Sequence, residues 1–223
     1  MPVEHRPARM ARRFAAAWSG WVLLTLLCLP TVRAEIAYAS ATHVRLDIHE
    51  SDPGRLPWVS FDERSGLPQH TIVDLMTDER GFVWAATQDG LGRFNGQRWD
   101  TVALPESMGS NYPRVLQRAR DGGFWVGSFD GGLARWNGER FDVFARNDAL
   151  PSRRIRGLLD TELAGQAALW IATDRGVARW WRGTLDVFGK EDGLPSLDTE
   201  ALFETDRLDG ERSLLVGTAQ GLA

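Results

Sequence analysis

Cysteine is almost absent from this chain. The single one, Cys28, lies in an apolar run near the N-terminus, so the body of the protein carries no disulfide and no thiolate chemistry. Its stability has to come from packing. Histidine is scarce as well. Of the four, His5 precedes the apolar run, and His43, His49 and His70 share no spacing with a second ligand pair, so no metal site is expected. No serine stands in a nucleophile elbow, which removes the usual sign of a hydrolase triad. Gly131-Gly132-Leu133 lacks the Lys-Ser/Thr that completes a phosphate-binding loop. Beyond the first apolar run, no second one is long enough to span a membrane. The two tyrosines contrast with ten tryptophans and ten phenylalanines, a composition suited to packed aromatic layers.

Residues 1–34 read as a signal peptide. Arg6, Arg9, Arg12 and Arg13 form a basic start, residues 14–29 are apolar, and Val32-Arg33-Ala34 offers a cleavage site before Glu35. An uncleaved anchor is the alternative, and either reading exports the rest of the chain. Leu26 and Leu27 just before Cys28 argue against lipidation. Residues 1–34 carry a net charge of +4 within a chain of −4, which leaves −8 on the remainder. An acidic exported body is a poor partner for nucleic acid or for anionic lipid.

After a weakly patterned lead-in, residues 35–57, a repeat occupies residues 58–223. Its copies contain Gly81-Phe82-Val83-Trp84, Gly123-Phe124-Trp125, Ala168-Leu169-Trp170 and Leu214-Leu215-Val216. Trp84, Trp125, Trp170 and Leu215 are 41, 45 and 45 residues apart. That period, filled with strand-length pieces between turn signals, predicts an all-β fold of four-stranded antiparallel blades in a partial β-propeller, about three and a half of them. The blades span 66–102, 103–144, 149–188 and an incomplete 193–223. Strands are expected at 71–77, 82–87, 91–94 and 98–102 in the first copy and at matching phases in the others. The Asn95-Gly96 and Asn137-Gly138 pairs predict two-residue hairpin turns with φ > 0 at both positions. Gly66-Leu67-Pro68, Ala103-Leu104-Pro105, Ala149-Leu150-Pro151 and Gly193-Leu194-Pro195 connect successive blades. By phase, residues 58–61 form an outer strand with no blade of their own. The stretch 160–170 and residues 206–212 read as lengthened turns.

These motifs resemble the two-component regulator propeller repeat: Gly-Leu-Pro, a strand, Asp-x-x-Gly-x-hydrophobic-Trp-hydrophobic-Gly-Thr, then Gly-Leu-x-Arg-aromatic-Asn/Asp-Gly. The match runs from Gly66 to the last residue, with Leu215 in place of the fourth Trp and Ala119 in place of the second copy's Asp. The resemblance implies a periplasmic ligand-sensing region of an inner-membrane receptor. Its output would be a histidine kinase or diguanylate cyclase that this chain does not contain. It also implies further blades and a dimer in the full-length receptor. No catalytic residue and no cofactor are expected. A periplasmic propeller enzyme (a lyase or quinoprotein-like dehydrogenase) and a protein-binding scaffold are the competing readings.

Trp84, Trp125 and Trp170 recur at one strand phase, as packing residues between blades must, and a sugar-stacking role would vary between copies. Arg93, Arg135 and Arg179 also recur at one phase, which suits structural ion pairs better than a ligand clamp. In an antiparallel blade the second-to-third turns and the blade connections share a face. That face collects variable residues on a constant frame, where recognition is expected. Asp89, Asp130, Arg153, Arg154, Asp174 and Arg175 are the candidate contacts for a small molecule or a polysaccharide-derived ligand.

Overall fold

The computed structural model describes residues 59–206 and 212–223. Residues 1–34, read above as a signal peptide, the lead-in, Trp58 and most of the 206–212 insertion fall outside the described residues. Four antiparallel sheets succeed one another along the chain, each built from consecutive strands. The first holds β1 (Ile72–Thr77), β2 (Val83–Thr87), β3 (Gly90–Phe94) and β4 (Trp99–Val102). The second holds β5 (Pro113–Arg118), β6 (Phe124–Ser128), β7 (Leu133–Trp136) and β8 (Phe141–Val143). The third holds β9 (Ile155–Leu163), β10 (Gln166–Thr173), β11 (Gly176–Trp181) and β12 (Thr184–Phe188). The fourth holds β13 (Thr199–Asp206), β14 (Arg212–Thr218) and the short β15 (Gly221–Leu222).

Alternation along the second strands explains why the sheets stack. In β6, Phe124 and Val126 join a core with Trp84, Ala86 and Leu91 of the first sheet. Trp125, between them in sequence, joins a second core with Ile155, Leu158, Leu169 and Ile171 of the third sheet. A strand whose successive side chains point to opposite faces, all apolar, needs a partner on both sides. The connections add to these cores: Leu67, Leu104 and Leu150 of the Leu-Pro pairs are buried. Phe61 packs against Phe94 and Trp99, at 5.3 and 5.9 Å between ring centroids. Phe144 packs in the same phase against Trp180 at 5.2 Å. Residues 59–61 therefore take the outer-strand position without forming a strand.

Two local expectations are corrected. At Asn95-Gly96 and Asn137-Gly138 only the glycines have positive φ, 95° and 100°. The loops there are four residues long, because each Asn side chain takes over the turn. Asn95 Oδ1 accepts from the Gln97 and Arg98 N–H groups, and Asn137 Oδ1 from those of Glu139 and Arg140. The turns with φ > 0 at both positions lie elsewhere, at Arg182-Gly183 (50° and 77°) and Ala164-Gly165 (49° and 74°). The second of these bears on the other correction. The extra residues between Asp160 and Trp170 lengthen β9 and β10, paired from Ile155↔Thr173 to Leu163↔Gln166, and leave a tight turn.

Candidate functional site

The first strand of every sheet carries the same irregularity. The register with the second strand skips one residue between Ile72 and Asp74, between Pro113 and Val115, between Ile155 and Gly157, and between Thr199 and Ala201. The skipped residues are Val73, Arg114, Arg156 and Glu200. A bulge bends its strand and re-aims the extra side chain. Consecutive first strands lie in contact, β1 with β5, β5 with β9 and β9 with β13. The bulged side chains meet across them. Arg156 binds Glu200 in the neighbouring sheet and reaches Asp198 at 3.2 Å. Arg114 Nη2 lies 3.8 Å from Glu200, two sheets away. The row of first strands bends enough for its second and third members to share a charge partner on the fourth.

A groove of about 480 Å³ opens beside these residues, lined by Val73, Asp74, Tyr112, Arg114, Val115 and Arg156. Tyr112 joins it to the loops. Its ring stacks on Phe129 at 5.1 Å and 16°, and the Arg154 guanidinium lies 4.9 Å over Phe129. Arg154 donates to Asp174 Oδ2 at 3.3 Å. Asn111 donates to Asp89 at 3.1 Å, and the Ser110 and Ser128 hydroxyls are 3.0 Å apart. The second-to-third turns and the sheet connections are thus side by side. Arg154 and Asp174 are half-buried and paired, Arg153 pairs with Asp148, and Asp89, Asp130 and Arg175 are exposed. The backbone beneath is held alike in the first, third and fourth sheets. Thr87, Thr173 and Thr218 each donate at 2.8 Å to a glycine carbonyl, of Gly90, Gly176 and Gly221, closing the turn.

The recurring Trp and Arg residues lie away from these turns, toward the opposite ends of the strands. Trp84, Trp125 and Trp170 pair across strands with Arg93, Arg135 and Arg179. Each guanidinium sits over its tryptophan, at 5.7, 5.3 and 5.3 Å from the ring centroid. Carboxylates hold the other side: Asp100 at 3.7 Å from Arg93, Asp121 at 2.6 Å from Arg135 and Asp186 at 2.7 Å from Arg179. Trp84 Nε1 donates to Asp78 at 2.8 Å. A second cavity of about 440 Å³ lies here between the first two sheets. Its acidic lining is largely committed, with Asp78 accepting from the Arg80 and Phe82 N–H groups and Asp142 bound to Asn137 and Arg140. Behind the next junction, burial pushes the Asp160 carboxyl above its ordinary value, opposed by hydrogen bonding and charge from Arg120. Arg120 Nε lies 3.4 Å from Asp160 Oδ1.

Sequence reasoning does not single out the four bulged residues. A signal for them exists, since Val73, Arg156 and Glu200 each stand six residues after the leucine of a Leu-Pro pair (Leu67, Leu150 and Leu194), and Val73 and Arg114 each stand eleven residues before a repeat tryptophan (Trp84 and Trp125), so one phase carries different settings of charge. The bulge that turns that phase inward leaves no mark of its own in composition or spacing.

No family profile and no curated protein matches the chain. Solved structures do. The extracellular domain of BT3049 from B. thetaiotaomicron, assigned as a hybrid two-component system, matches with a TM-score of 0.61 at 19% identity, over 74% of this chain and 23% of its own. The extracellular domain of BT4673 from the same organism, likewise assigned, matches with a TM-score of 0.57 at 21% identity, over 74% of this chain and 22% of its own. This chain shares their fold. It spans under a quarter of the length of either domain.

Proposed function

We propose that the chain is part of a β-propeller in the exported, ligand-sensing region of a signal-transduction receptor, with its output domain outside these residues. The observation that carries this reading is the bulge row. One backbone position, repeated in four sheets, delivers Val73, Arg114, Arg156 and Glu200 toward one groove beside a face of variable turns. A constant frame with varied chemistry at one convergent place is the build of a recognition site. The contact from the second sheet to the fourth supports sheets arranged about an axis. The two similar solved structures are extracellular domains of proteins assigned to two-component signalling, which supports export and sensing. The signal peptide supports the same location, and the ligand is a small molecule or a fragment of a polysaccharide. Binding drives signalling only through unequal affinity for two receptor states.

The test is an alkaline phosphatase fusion after Ala223, with the gene read beyond that codon. Active phosphatase, with further repeats, a membrane span and a kinase or cyclase domain encoded downstream, is the expected result. A fusion that is active only in the cytoplasm-permissive control, or a downstream enzyme domain of unrelated chemistry with no membrane span, overturns it.

A further inference from the structure

The charges around the groove are unequally committed. Asp74 is spent on the backbone: Oδ2 accepts from the Leu116 N–H at 2.7 Å and Oδ1 from the Leu75 N–H at 2.8 Å. Arg156 is held by both Asp198 and Glu200. Arg114 has only the 3.8 Å approach to Glu200, a carboxylate already taken by Arg156. Its donors are left largely free, and a guanidinium with free donors favours a planar anion in two-pronged contact. The rest of the lining is apolar or aromatic: Val73, Val115 and the Tyr112 ring. The volume suits a small molecule.

We infer that this groove takes a carboxylate whose other end is apolar, with Arg114 receiving the carboxylate and Val73, Val115 and Tyr112 covering the apolar part. The inference rests on the sensing reading above and names its ligand class. Arg156, Asp198 and Glu200 act as positioning residues: they hold the edge of the groove and leave Arg114 as the one open cation among its described lining residues. Neutral sugars and cations gain nothing from that arrangement.

The probe is benzoate, compared with its neutral isostere benzamide, titrated calorimetrically into the full chain. Benzoate is expected to bind at least about tenfold more tightly than benzamide. Arg114→Met should abolish the difference and Arg114→Lys should keep part of it, with melting temperatures close to the parent. Glu200→Gln, which removes the competing carboxylate, should tighten benzoate, and it serves as the deciding variant should Arg114→Met fail to fold. Equal binding of the two probes, no binding of benzoate, an unchanged Arg114→Met, or a Glu200→Gln that binds no better would each overturn the ligand class. None of those results touches the export fusion, so failure here and failure of the sensing reading are told apart.

Discussion

The junction between the first two sheets and the outer face of the fourth carry the same phases of one repeat. Leu91, Leu133 and Val177 follow the turn glycines Gly90, Gly132 and Gly176 in the first three sheets and are 0%, 0% and 1% exposed; Leu222 holds that phase after Gly221 in the fourth and is 65% exposed. Trp84 is fully buried against Phe124 and Trp136 of the next sheet, at 4.9 and 5.2 Å, while its equivalents Trp170 and Leu215 are half-buried. Phe203, paired with Leu215 across strands, is 62% exposed. The repeat fixes which residue type stands at each phase, and a neighbouring sheet decides whether that residue stabilises anything. Burial here belongs to the junction.

The comparison breaks most visibly at the tryptophan phase. Trp84→Ala should cost about 3–5 kcal/mol in urea unfolding, the range for emptying a buried aromatic site, while Leu215→Ala should cost under about 1 kcal/mol. Similar losses at both would mean that the fourth sheet is covered in solution. The phase of Gly127 comes next. A Cβ there would stand 2.5 Å from Ile155 Cγ2 and 2.6 Å from Val115 Cγ1, whereas at Gly217 the nearest atom would be 3.4 Å away. Gly127→Ala should destabilise by about 1–3 kcal/mol through overpacking, and Gly217→Ala should be close to neutral. Alanine already stands at this phase in Ala86 and Ala172, so the demand comes from the neighbour Ile155 and not from the strand.

A smaller effect is expected at the turns. Thr173→Val removes a buried hydroxyl that closes its turn and should cost about 1 kcal/mol, against a few tenths for Thr218→Val, where the residue is only half-buried. Smallest is the charge behind the second and third sheets. Because burial raises the Asp160 pKa in the folded state, the folded protein holds that proton more tightly than the unfolded chain. Stability should therefore fall as pH rises from the ordinary aspartate value through the raised one. Asp160→Asn should flatten that part of the pH profile and add up to about 1 kcal/mol at neutral pH. A profile with the opposite slope would contradict the burial.

Repeat period and strand phase were legible because the packing constraint recurs: Trp84, Trp125 and Trp170 sit at equal registers opposite Arg93, Arg135 and Arg179. The adjacency of the turn face to the sheet connections was legible from strand parity alone, and it brings Arg154 to Asp174. Two things were hidden. The Asn-Gly turns read as two-residue turns because the motif permits it, yet the Asn side chain accepts two N–H groups and widens the loop. The inward row Val73–Arg114–Arg156–Glu200 depends on a bulge and on the bend of the whole array, and both are consequences of stacking that no single copy contains.

The central claim is that the first strands bend around a common groove, so that sheets two and four face one another through Arg114 and Glu200. It is tested most directly by cysteines placed at these two positions, with Cys28 replaced by serine, and treatment with a short bismaleimide. The account predicts rapid cross-linking within one chain, abolished by unfolding in urea. Absence of that cross-link in a folded, melting protein would mean that the sheets form an open, unbent row and would remove the groove as a site.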